Sequence, residues 1–145
     1  MKSVLASWQL WAMGSAVFAA LTAIFAKVGI EGVSSDFATF IRTIVILASI
    51  AFILSVTGSW QEPATVSAKS WLFLVLSGLA TGASWLCYFR ALKLGNASQV
   101  APVDKLSVVL VAAFAAVFLG ERLSPMHWLA VCFIATGAVM LTLRI

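Results

Sequence analysis

Five long stretches of this chain are almost free of charge: residues 8–26, 37–56, 71–89, 97–119 and 126–143. Each is close to the ~20 apolar residues a helix needs to cross ~30 Å of hydrocarbon. The links between them are too short to hold a second, water-soluble domain. In lipid the backbone must satisfy its own hydrogen bonds, which helices and closed barrels do. The expected fold is therefore all-α, a polytopic membrane bundle of five transmembrane helices forming one domain over residues 1–145. Composition agrees, since 63% of the chain is apolar and 10% charged, against ~45–50% and ~25% in soluble domains. An ordinary soluble enzyme is excluded.

The boundaries follow from punctuation. Trp8 and Trp11 suit a membrane interface at the start of the first span, and Lys27 closes it. A secretory signal peptide is the competing reading of this segment, but its apolar run is too long. Glu31, Gly32, Ser34, Ser35 and Asp36 form a polar link with helix-starting side chains before the second span, where Arg42 is the sole charge. Gly58 to Pro63 carries turn residues, and polarity persists to Ser70, making this the longest loop. Arg90, Lys93 and Gly95-Asn96 close the third span, and Gly120 to Pro125 forms a tight turn between the fourth and fifth.

The net charge of +4 is scattered rather than gathered into a basic stripe, which argues against nucleic acid as a partner. Cys87 and Cys132 lie far apart in apolar stretches and read as packing residues. There is one histidine, no HExxH, no glycine-rich phosphate loop and no nucleophile elbow, so no catalytic residue, metal or cofactor is expected. Membrane transport leads, with the lipid bilayer and a small-molecule substrate as partners and the cytoplasmic membrane as location.

Two passages carry a resemblance: Ala26-Lys27-Val28-Gly29 through Asp36 to Arg42, and Ala101-Pro102-Val103-Asp104-Lys105-Leu106-Ser107 through Gly120-Glu121-Arg122-Leu123. They resemble the EamA domain of the drug/metabolite transporter superfamily, and the likeness runs over nearly the whole chain. Most members hold two five-span units, whereas this chain is similar to the short bacterial and archaeal subgroup with a single repeat. The resemblance implies two repeats of opposite orientation enclosing a substrate path by alternating access, a general transporter device. A single repeat supplies the missing half by pairing with itself. An antiparallel homodimer is the expectation, with a paralogous partner or a parallel dimer as alternatives. Basic residues fit dual insertion: Lys2, Lys69 and Arg122 fall on one side, and Lys27, Arg90, Lys93 and Arg144 on the other.

Connectivity brings Lys27, Arg42, Arg90, Asp104 and Lys105 into the second of these halves, the sharpest inference the residues allow. Intramembrane charges are rare and normally face a partner or a wet cavity. Asp104 and Lys105, as helix neighbours, point ~100° apart, too divergent for a good mutual ion pair. Arg42 is therefore the expected partner of Asp104, with Glu31, Asp36 or an anionic substrate group expected for Lys105. Three roles stand side by side: an ion-pair network fixing helix register, contact with substrate or a coupling proton, or plain snorkelling to the interface.

Pro102 either breaks the fourth helix interior or sits in its first turn. Trp85 and Tyr88 form a pocket wall or part of an aromatic belt. Gly78 and Gly82 form a GxxxG expected to pack within the chain, while Ala112, Ala113, Ala115, Ala116 and Gly137 offer a dimer seam. Glu121 and Arg122 read as turn residues and His127 as interfacial. Two other functions remain in view. A small multidrug exporter needs an acid in the first span, which residues 8–26 lack. A non-transporting accessory subunit would use the charges for assembly alone.

Overall fold

The computed structural model describes residues 7–142. Among them there are helices and no strand: α1 (Trp8–Gly29), α2 (Ser35–Thr57), α3 (Ala68–Leu94), α4 (Ala97–Asp104), α5 (Ser107–Phe118) and α6 (Pro125–Met140). A single 3-10 turn, Pro63–Thr65, lies between α2 and α3. Four segments are long and apolar enough to cross a membrane, with Ala97–Phe118 counted across its interruption, and α6 is a shorter apolar helix. Four of the five expected spans are thus membrane-length helical segments, and the fifth is a shorter apolar helix. The terminal basic residues Lys2 and Arg144, and the expected end of the fifth span at Leu143, lie outside the described residues.

Sequence and local chemistry explain the helix ends. The Ser34 hydroxyl accepts the Phe37 N–H at 3.2 Å and starts α2; the Ser67 hydroxyl accepts the Ser70 N–H at 3.1 Å ahead of α3. Each satisfies a donor that the first helical turn cannot. At α6, Ser124 accepts from the His127 N–H at 3.3 Å while the His127 ring returns a bond to the Ser124 backbone, closing a capping box. His127, read as an interfacial residue, therefore has a definite structural task. Gly58 (φ 64°) and Gly120 (φ 68°) end α2 and α5 in the left-handed region. This lets the N–H of Ser59 reach the Leu54 carbonyl and that of Glu121 the Ala115 carbonyl, each at 3.1 Å.

A Cβ at Gly120 would meet nothing within 4 Å, so Gly120→Ala tests the backbone conformation alone. It should lower stability by about 1–2 kcal/mol, the usual penalty of a left-handed L-residue. Thermal unfolding of the purified protein in neutral detergent checks this.

The chain divides into two compact units, Val28–Lys93 and the segments on either side of it. In the first, α2 and α3 form an antiparallel hairpin, with Ile30, Thr39, Phe89 and Leu92 buried. In the second, α6 packs on α4 and α5, and Ala23, Ala26 and Ala138 are buried. Most large apolar side chains point outward, Phe118 at 77% and Trp8 at 74% exposure among them. Such a surface has no place in water and suits a hydrocarbon solvent. Hydroxyls are satisfied by their own helices: Thr39, Thr43, Ser49, Ser55, Thr57, Thr81 and Thr136 each donate to the carbonyl four residues back. No helical polar side chain of this set needs water.

Three expectations change. The third span runs 27 residues, well beyond residues 71–89, because Arg90 and Lys93 find oxygen partners and stay helical. The fourth is broken at Lys105 and Leu106. A Cβ at Gly78 or Gly82 would meet nothing within 4 Å among the described residues, so no close packing partner of this GxxxG is seen within the Val28–Lys93 unit.

Candidate functional site

In the Val28–Lys93 unit the hairpin sets two layers of charge along its axis. At the helix ends, Arg90 grips Asp36 with two parallel bonds, Nε to Oδ1 at 3.1 Å and Nη2 to Oδ2 at 2.8 Å. This fork geometry is specific to guanidinium and carboxylate. Lys93 Nζ donates to the Val33 carbonyl at 2.8 Å, tying the end of α3 to the link before α2. Asp36, considered for Lys105, is thus the partner of Arg90.

Seven residues after Ser35, roughly 10 Å along α2 at ~1.5 Å per residue, stands Arg42. Its guanidinium carbon lies 4.4 Å from the ring centre of Trp85 and 5.4 Å from that of Phe89. Tyr88 meets Phe89 edge-on, with centroids 6.4 Å apart. Among the described residues no hydrogen bond or ion pair engages the Arg42 guanidinium. A lone charge at the bilayer centre costs ~2.5–3.5 kcal/mol on insertion scales. A desolvated cation–π contact returns about 2 kcal/mol. The rings therefore offset part of the cost of keeping Arg42 in place. Trp85 was among the residues expected to wall a pocket; Phe89, 2% exposed, was not.

The other unit holds the remaining candidates. Lys27 Nζ donates to the Gly95 carbonyl at 2.8 Å, so the last turn of α1 is tied to the link ahead of α4. Pro102 is the sixth residue of α4, in its interior rather than its first turn. Lacking an N–H, it cannot bond the Ser98 carbonyl. Three residues on, the ladder tightens: Leu106 donates to Val103 and Val108 to Lys105, both at 3.0 Å and both to the third residue back. The charged pair sits at this break. Lys105 Nζ is 3.3 Å from Asp104 Oδ2, an ion pair that ideal helix geometry disfavours. It forms because α4 ends at Asp104 and the long lysine stem, leaving a tightened turn, folds back along its neighbour. Within its own unit, Asp104 takes its ion pair from Lys105.

Elsewhere, the Glu121 backbone serves the turn after α5. Cys87 and Cys132 are free and exposed on their helices. No group of three or more His, Cys, Asp or Glu that would hold a metal converges among the described residues.

Membrane-length helices with an outward apolar surface, and charges carried inside those helices, define a multi-pass helical protein of the cell membrane. Comparison with known proteins then gives the family. Residues 6–143 match the EamA-like transporter family, and the chain belongs to that family. It is 64% identical over 135 residues to a Sinorhizobium sp protein named "Uncharacterized transporter in cobO 3'region", covering 93% of this chain and 96% of that one. No solved structure matches the chain.

Proposed function

We propose that this protein is a transporter that moves a small polar or amphipathic metabolite across the membrane by alternating access, working as an antiparallel homodimer. The observation that carries this reading is the interrupted fourth span, where Pro102 and a tightened turn put the Asp104–Lys105 pair inside a membrane-length segment. The break begins eight residues, roughly 12 Å, into the span. Discontinuous helices of this kind bind substrate and coupling ions near the bilayer midplane in many transporters, their broken backbone lining a cavity. Membership of a transporter family supports the same conclusion. So does the relative from Sinorhizobium sp, whose name calls it a transporter. The near-even split of basic residues supports the dimer, as does the GxxxG of α3, open to a second copy.

Reconstitution of the purified chain into liposomes, with uptake from a defined mixture of small metabolites read by mass spectrometry, tests the transport reading. Accumulation of at least one solute above protein-free liposomes is expected; none would favour an accessory role. Reporter fusions after Ile145 test the dimer geometry and should be active on both sides of the membrane. Activity on one side only, unchanged by two lysines added near Met1, would overturn dual insertion.

A further inference from the structure

The Arg42 cluster resolves what kind of solute such a transporter would take, and the inference rests on the transport reading above. Arg42 is the exception among the cations at its end of the Val28–Lys93 unit. Arg90 is spent on Asp36 and Lys93 on the Val33 carbonyl, whereas Arg42 has aromatic contacts and no oxygen partner among the described residues. A guanidinium lying over a ring engages the ring through its face, and its N–H donors lie in its own plane, so they remain able to grip a carboxylate in a two-point fork. We propose that Arg42, held on Trp85 and Phe89, is the recognition point for a solute bearing one carboxylate and an apolar group.

Each part of that description follows from chemistry at the site. The charge must be negative, because the ring face of Trp85 that would receive a cationic ligand is already occupied by the protein's own guanidinium. A cation would meet both repulsion and a filled seat. A single carboxylate matches the one guanidinium fork that is open, since Arg90 is paired with Asp36 and Lys93 Nζ, still charged, is tethered to the Val33 carbonyl. The apolar group follows from the surroundings, as Trp85, Tyr88 and Phe89 sit within little more than one turn of α3 and offer ring surface next to the cation.

Calorimetric titration of the purified protein in neutral detergent with three matched probes tests this: phenylacetate, its neutral amide phenylacetamide, and phenethylamine. Phenylacetate should bind, with the amide weaker by roughly 10- to 100-fold, as loss of a charge-assisted hydrogen-bond pair implies. The amine should not bind measurably. Arg42→Gln should bring phenylacetate down to the level of the amide. Arg42→Lys, which keeps the charge and loses the fork, should fall between and serves if the glutamine variant fails to fold. The proposal is overturned if the parent binds amide or amine as tightly as carboxylate, if phenylacetate does not bind, or if both variants bind it like the parent. It is equally overturned if phosphatidylglycerol added to the micelles binds in an Arg42-dependent way and phenylacetate does not, for then the guanidinium serves a lipid headgroup. Liposome uptake separates the two readings. Arg42-dependent binding without translocation leaves the site standing and sinks the transport reading. Uptake of neutral or cationic solutes that ignores Arg42→Gln does the reverse.

Discussion

Asp104→Asn should cut solute uptake by about tenfold or more while the protein still inserts. The carboxylate is the ion-pair partner of Lys105 at the break of the fourth span, 3.3 Å away. Removing its charge leaves an ammonium group inside a membrane-length segment, where a lone lysine carries ~2.5–3.5 kcal/mol on insertion scales. A barrier change of ~1.4 kcal/mol already gives a tenfold loss. Uptake per inserted molecule, normalised to protein recovered from the membrane fraction, is the measurement. Adding Lys105→Gln to Asp104→Asn should give a smaller loss than the two single losses summed, because neighbours that pair are coupled. Additive losses would mean that the two charges act independently of each other in transport. If both single variants transport at the parent rate, the charges at the break are scaffolding, and the path has to be sought along Trp85 and Tyr88.

Pro102→Ala should separate stability from function in the opposite direction. Alanine restores the N–H that can bond the Ser98 carbonyl and removes the ring from the interior of α4, worth up to about 3 kcal/mol in a helix. The variant should unfold at higher temperature in detergent, and the amides of Leu106 and Val108, now bound to the third residue back, should exchange more slowly as the span straightens. Uptake should fall about tenfold, since the broken segment that carries Asp104 and Lys105 would be lost. A stabilised variant with parent-level uptake would show that the interruption is incidental to transport.

Which parts of this architecture could be read from residues depends on the range of the forces involved. Spans are legible because a membrane imposes a length and a composition on every crossing segment, so the runs from Trp8, Phe37, Trp71, Ala97 and Met126 announce themselves. Helix ends are less so. Arg90 and Lys93 looked like a stop, yet their long stems reach Asp36 and Val33, contacts 54 and 60 residues away in sequence, and the helix continues beneath them. The Asp36–Arg90 pair had one usable signal: the first turn of one helix and the last turn of the next must meet in a short antiparallel hairpin. The capping box at Ser124 was hidden because His127 stands where glutamate or glutamine usually signals it.

The site was half legible. Arg42, Trp85 and Tyr88 were picked out singly, but that an arginine lies on a tryptophan 43 positions later depends on side-chain packing between two helices, which no local pattern encodes. The Asp104–Lys105 contact was hidden for the opposite reason. Ideal helix geometry turns neighbours ~100° apart, and Pro102 and the tightened turn suspend that geometry here. The small-residue motif at Gly78 and Gly82 shows a similar limit, since the pattern says that a close approach is permitted and is silent on what approaches.

The helices also differ in length: α3 has 27 residues and α6 has 16, or about 40 Å and 24 Å at ~1.5 Å per residue. Hydrocarbon ~30 Å thick matches the apolar run of α3 and leaves its charged end beyond it, while α6 falls short. Lipid beside α6 must thin or let flanking side chains reach outward, while α3 must tilt or send its charged end into the headgroups. That end carries Arg90 and Lys93. Bilayer thickness is therefore mechanically coupled to the Asp36–Arg90 clasp. Acyl-chain length becomes a variable that acts on this protein with no lipid binding site required.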